Sequence, residues 1–174
     1  MQATAENVAA TLSTETRHCL AASLQRIKHC TDQLTDQQLW HRPSESANSI
    51  ANLILHLCGN LRQWIISGVG GSPDVRDRPS EFSQRGPMPK AELLKRLDDT
   101  VGEVDAVLAA LSPQRLLESR RIQGFDVTVT GAIFDAIPHF QGHTQEIIHI
   151  TRSLLGSGYN FYWKPKTIEE GTPD

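Results

Sequence analysis

The sequence has no apolar run approaching the roughly 18 residues that a bilayer-spanning helix needs. Its first residues, Met1 to Glu6, lack the basic start and apolar core of a secretory signal. A cytoplasmic location and no membrane partner are therefore expected. Clusters of Lys and Arg are missing too, and the net charge is −3. Phosphate backbones are held by clustered cations, so no nucleic-acid partner is expected. Cysteine is scarce: Cys19, Cys30 and Cys58 form an odd set without a C-x-x-C pair. That excludes a disulfide framework and a thiolate zinc site, and the three read as small apolar residues in helices. No internal repeat or low-complexity segment interrupts the chain.

What is present reads as one domain over residues 1–174, large enough to bury its own core. Ala5 to Thr31 contains Leu12, Leu20, Leu24 and Ile27 at helical spacing, with no Gly or Pro. Thr35 to Trp40 reads as a short capped turn. A second helix starts at an N-cap on Asn48 or Ser49 and runs to about Ser67, with Ile50, Leu53, Ile54, Leu57, Leu61 and Trp64 on its apolar side. Ser72 to Pro89 carries Pro73, Pro79, Pro87 and Pro89 and cannot be one helix. Its length exceeds that of a tight antiparallel turn, so it reads as a crossover between parallel helices, either salt-bridged in solvent or closing over a pocket. Lys90 to Leu111 is a third helix. Phe125 to Thr130 alternates like a strand but is too short to found a sheet. Thr130 is the expected cap of a fourth helix, and Pro138 is expected to kink it. An aromatic tail follows at about 157–165, placed against the bundle or a dimer partner. The expected fold class is all-α, a four-helix bundle with a long crossover between helices 2 and 3.

The chemistry is concentrated in histidines. His139 and His143 are four residues apart on the fourth helix, so they share a face with Ala132, Ala136, Ile147 and Ile150, the face a bundle turns inward. Buried imidazoles need hydrogen bonds or a metal. His56 sits at the border of the second helix's apolar side, among Ser49, Asn52, Asn60 and Gln63. His18, His29 and His41 lack such settings and read as surface or boundary residues. Three imidazoles from two facing helices would leave a fourth metal position open, as catalytic zinc does. Glu146, three residues after His143, has two readings: general base or support for a ligand, or an ordinary surface carboxylate. The glutamate of metalloproteases lies between the two histidines, whereas here Phe140, Gln141 and Gly142 do, so protease chemistry is set aside.

Three stretches carry a family resemblance: NSIANLILHLCGNLRQWI from Asn48 to Ile65, RDRPSEF from Arg76 to Phe82, and HFQGHTQEI from His139 to Ile147. Together they resemble the DinB-like superfamily, and its branch of uncharacterised DinB-related bacterial proteins in particular, over about residues 34–162. The resemblance implies an up-down-down-up bundle, often dimeric. It also implies a divalent metal on His56, His139 and His143. Many members continue after the second histidine of the pair with x-Gly-Gln-Ile; here the residues are Thr144, Gln145, Glu146 and Ile147. Some relatives are S-transferases acting on low-molecular-weight bacterial thiols.

The first functional expectation is a metal-dependent transferase or hydrolase. Its cofactor is zinc before nickel, iron or copper. Asn60, Asn52 and Arg76 would shape a pocket for a small molecule such as a low-molecular-weight thiol, and Glu146 would be the catalytic carboxylate. The alternative is a non-catalytic bundle stabilised by metal, or a homodimeric interaction module.

Overall fold

The computed structural model describes residues 4–163. Four long helices form the bundle: α1 (Ala5–Asp32), α3 (Ile50–Leu61), α5 (Lys90–Ala109) and α7 (Val129–Leu155). Short helices α2 (Asp36–Leu39), α4 (Arg78–Ser83) and α6 (Pro113–Leu116) lie in the connections. The all-α class and the long crossover agree with the expectation from sequence.

Cross-helix pairs fix the directions. Arg17 and Lys28 of α1 pair with Asp105 and Asp98 of α5, so rising numbers meet falling ones and these helices are antiparallel. Cys58 of α3 meets Thr100, while Gly70 approaches Val107, so α3 and α5 run parallel. His56 faces His139, and Trp64 lines a cavity with Asp135, which makes α3 and α7 antiparallel. The order is up-down-down-up.

The second long helix changes character partway. Ser49 and Asn52 close a capping box at its start. After Leu61 the hydrogen bonds lengthen into a π-helical stretch, Arg62–Val69. Arg115 Nη2 donates to the Val69 carbonyl at its end, 2.6 Å away. All twelve residues of α3 are buried, polar ones included, because one side packs in the core and the other is covered by the crossover.

The alternating segment near Phe125 does form strand, with a partner the sequence did not reveal. β1 (Ser119–Ile122) and β2 (Phe125–Thr128) pair antiparallel through a turn at Gln123 and Gly124. Both turn residues have positive φ, 52° and 86°. The hairpin is held down by Ile122, which packs where a side chain at Gly68 would stand.

The cap of α7 is Thr128, whose hydroxyl accepts from the Gly131 N–H at 3.0 Å, and not Thr130. Thr130 instead donates to the Leu116 carbonyl. Pro138 lies within α7, which continues through it as one helix. The carbonyl freed by proline belongs to Phe134, which is 62% exposed, so water can satisfy it. The aromatic tail is anchored to the bundle at Tyr159 and Asn160, whereas Phe161, Tyr162 and Trp163 are more than half exposed. The Asn160 N–H donates to Gln33 Oε1 at 2.7 Å, and its carbonyl accepts from His29 Nε2 at 2.6 Å. Lys164 and Pro165 lie outside the described residues. No helix among those described is long and apolar enough to cross a membrane.

Replacing the α7 cap, Thr128→Ala, is expected to lower the unfolding free energy by about 1 kcal/mol in urea titration, with Thr128→Ser close to wild type.

Candidate metal centre

Asn52, His56, Gly59, Asn60 and Gln63 form a stripe along α3 at steps of three and four. The crossover docks on this stripe. Asn52 Nδ2 donates to the carbonyls of Glu81 (2.8 Å) and Gln84 (3.0 Å), and its Oδ1 accepts from Arg42 Nη2 at 2.9 Å. Asn52 is thus a strut between α3 and α4. Arg76 is equally engaged: Nε and Nη2 fork onto Glu81 Oε1 and Oε2 at 2.7 and 2.9 Å, and Nη1 reaches Gln63 Oε1 at 2.9 Å. Its side chain is only 3% exposed. Both residues were expected to shape a substrate pocket; their polar groups serve to hold the crossover.

Glu81 is the member of the site that sequence reasoning missed. Its Oε2 accepts from His56 Nδ1–H at 2.9 Å as well as from Arg76. Burial alone would raise its pKa, but the bonds and charges of Arg76 and His56 outweigh it and hold the carboxyl below its ordinary range. An ionised Glu81 fixes the His56 proton on Nδ1 and leaves the Nε2 lone pair free. Two signs of Glu81 stood in the sequence. Arg76 and Glu81 share one short motif, and Gly59 interrupts a buried helix one turn after His56. A Cβ on Gly59 would stand 2.7 Å from Glu81 Cδ and 3.1 Å from Arg76 Nε, so the glycine is there to admit the pair.

The three histidines do converge. Their ligand-capable atoms lie within 4.8 Å of one another. His56 Nε2 and His139 Nε2 are 2.9 Å apart, and the three rings stand nearly perpendicular to each other, with interplanar angles of 83°, 88° and 87°. His143 Nδ1–H donates to Glu146 Oε2 at 2.7 Å, so Glu146 repeats on α7 what Glu81 does for α3. Carboxylates on the far nitrogens are how metal-bound imidazoles are commonly oriented and made more basic. His139 is kept neutral: burial first, then the charges of His143, His56, Arg76 and Arg78, push its pKa down to about 4. Metal ligands must be deprotonated, so the donor set fits a divalent cation of the zinc, nickel or iron type.

Asn60 lies on the open side of this cluster. It lines a cavity of about 500 Å³ with His139, Trp64, Phe125, Asp126 and Asp135. Its Oδ1 is shut off from solvent without a hydrogen-bond partner among the described residues. An unpartnered acceptor of this kind awaits a donor from whatever occupies the site.

Comparison with solved structures places the architecture in the DinB-like fold. A conserved protein from Enterococcus faecalis matches with TM-score 0.69 at 16% identity, over 83% of this chain and 97% of that one. A DinB-like protein of Bacillus subtilis, YjoA, matches with TM-score 0.64 at 15% identity, over 85% and 96%. At the level of sequence, residues 7–168 match the family described as "Protein of unknown function (DUF1572)", and the chain belongs to that family. No curated protein matches it.

Two outcomes follow. Gly59→Ala is expected to lower stability by about 1–3 kcal/mol, as overpacking does, and to eject Glu81 from His56. A 15N–1H spectrum of the His56 ring that keeps its Nδ1–H bond in the variant would contradict this. In chelator-treated protein, His139 takes its proton near pH 6.5 when unfolded but only near 4 when folded, so the unfolded state binds more protons in between. Thermal stability should therefore fall as pH drops from about 6.5 to 4, and His139→Asn should flatten that interval. The Glu81 contribution lies lower, present above the unfolded value of 4.5 and lost as pH falls through the folded one.

Proposed function

We propose that the protein is a metal-dependent enzyme of the transferase or hydrolase type, with one divalent cation held by His56, His139 and His143. The observation that carries this reading is the convergence of the three imidazoles, two with a carboxylate on the far nitrogen. Zinc is the first choice of metal. Three protein ligands leave a position for a water or a thiolate, and bound zinc makes either one nucleophilic near neutral pH. The chain's own residues have distinct tasks. Glu81 and Glu146 orient His56 and His143. Arg76 holds Glu81 ionised. Asn60 lines the cavity next to His139 and carries a buried acceptor without a partner among the described residues. Glu146 is spent on His143, which favours ligand support over a general-base role for it.

The substrate proposed is a small molecule, a low-molecular-weight thiol being the first class to try. A cytoplasmic homodimer belongs to the same reading. Its rival is a bundle that binds metal only for stability. The rival predicts that chelation lowers the melting temperature while no thiol or ester turns over.

Protein made without an affinity tag should carry close to one equivalent of metal by elemental analysis. His56→Ala and His139→Ala should each abolish it. Glu81→Gln should weaken binding about 10- to 100-fold, as loss of a carboxylate behind a ligand does. Less than half an equivalent, unchanged in His56→Ala, would sink the site.

A further inference from the structure

The cavity beside the histidines has a one-sided chemistry. Asp126 and Asp135 lie on its wall, and no Lys or Arg is among its lining residues. Trp64, Phe125 and Val127 supply apolar surface on the same wall. Asp135 has no ion-pair partner among the described residues, whereas Asp126 meets Arg121 at 2.7 Å in a pair exposed on both sides. Such exposed pairs are weak and exchange partners readily. Arg121 is thus the cation at the wall, and two other nearby cations are committed elsewhere. Arg76 is forked onto Glu81, and Arg78 sits over the Phe82 ring, 5.1 Å from its centroid. Asn60 adds an independent sign. It is 9% exposed, lines this cavity, and its Oδ1 has no donor.

We infer that this cavity selects a substrate bearing a protonated amine attached to a short apolar segment, with the amine drawn by Asp135 and Asp126 and a polar N–H or O–H offered to Asn60. The inference rests on the reading of the histidine cluster as the reacting centre, since it assigns the space next to it. An ammonium group placed there meets the unpaired carboxylate of Asp135 and can take the place of Arg121 on Asp126, while a carboxylate meets Asp135 as a like charge. The aromatic wall favours the same class, because an ammonium is attracted to the face of an indole or phenyl ring. An apolar body with a cationic end therefore fits the wall better than a neutral or anionic isostere.

The test uses three probes of equal length: n-butylammonium, n-butanol and butyrate. Each is titrated at neutral pH into the full chain, both zinc-loaded and chelator-treated, following the indole N–H of Trp64, assigned with Trp64→Phe. Butylammonium should shift the signal at concentrations roughly fivefold or more below butanol, the scale of one part-exposed charge contact. In chelator-treated protein butyrate should be weakest. Asp135→Asn should remove most of the preference for the amine, and this exposed position tolerates the change without unfolding. Equal shifts from butylammonium and butyrate in chelator-treated protein, a preference that survives in Asp135→Asn and Asp126→Asn, or no shift with any probe would overturn the inference. Metal equivalents measured on the same samples report separately on the histidine site. A protein that selects amines without binding metal would refute the proposed function and not the cavity's selectivity.

Discussion

A carboxylate buried between a guanidinium and an imidazole N–H is the interaction on which this arrangement depends. Glu81 and Arg76 have side chains 7% and 3% exposed, and His56 is 6% exposed. Neither ion could be buried alone, since an isolated charge out of water is strongly disfavoured. Paired in a fork, with a third bond to His56, each is satisfied. Removing one partner would strand the other, so the three stand or fall together. The surrounding features follow from accommodating them. Gly59 leaves the space, Asn52 ties down the backbone carbonyls of Glu81 and Gln84, and Gln63 accepts from Nη1 of the guanidinium. A run of twelve buried residues on α3 that includes His, Asn and Gly is possible only because this cover exists.

The site combines two arrangements of the same device. On α3 the carboxylate behind the histidine arrives from a distant segment and is buried. On α7 it comes from the same helix, one turn away, and is largely exposed. The buried version is the firmer, because solvent screens the other. His139 has no carboxylate of its own. Its neutrality comes from burial and from the charges around it, which is a different route to an uncharged imidazole. The DinB-like fold supplies two facing helices on which such a set can be mounted, and a fold of this kind does not by itself fix a reaction.

The bundle was legible because its signals are local and periodic. Apolar residues at three- and four-residue steps gave α1, α5 and α7 nearly to their ends, and the proline-rich stretch gave the crossover. The three histidines were legible for the same reason: two share a helix face, and the third sits in a polar stripe. What the sequence hid depends on contacts between segments. Glu81 lies 25 positions from His56, and nothing in the spacing pairs them. The π-helical stretch from Arg62 depends on packing against the hairpin and α7, and its residues read as ordinary helix. The hairpin itself was half visible, since Phe125 to Thr128 alternates while Ser119 to Ile122 does not. The cap moved from Thr130 to Thr128 because the competing acceptor of Thr130, the Leu116 carbonyl, is supplied by tertiary structure. Asn52 and Arg76 show the complementary difficulty: polar residues beside a site look alike whether they face a ligand or a neighbouring strand of chain.

The route by which Glu81 reaches His56 also has a thermodynamic side. The carboxylate belongs to the crossover, so its contact with the histidine exists only while that segment is docked on α3. Any free energy that a cation at the proposed centre would gain from Glu81 holding His56 in place is, by reciprocity, free energy that would hold the segment down. With a cation bound as proposed, occupancy of the centre and docking of the segment would be two faces of one coupling, measurable from either end. A hairpin-tip residue joins the same chain: Gln123 bonds to Gln63, which bonds to Arg76. Whatever enters the cavity and displaces the hairpin tip would thereby be felt, through Arg76 and Glu81, at His56 two turns away on the same stripe.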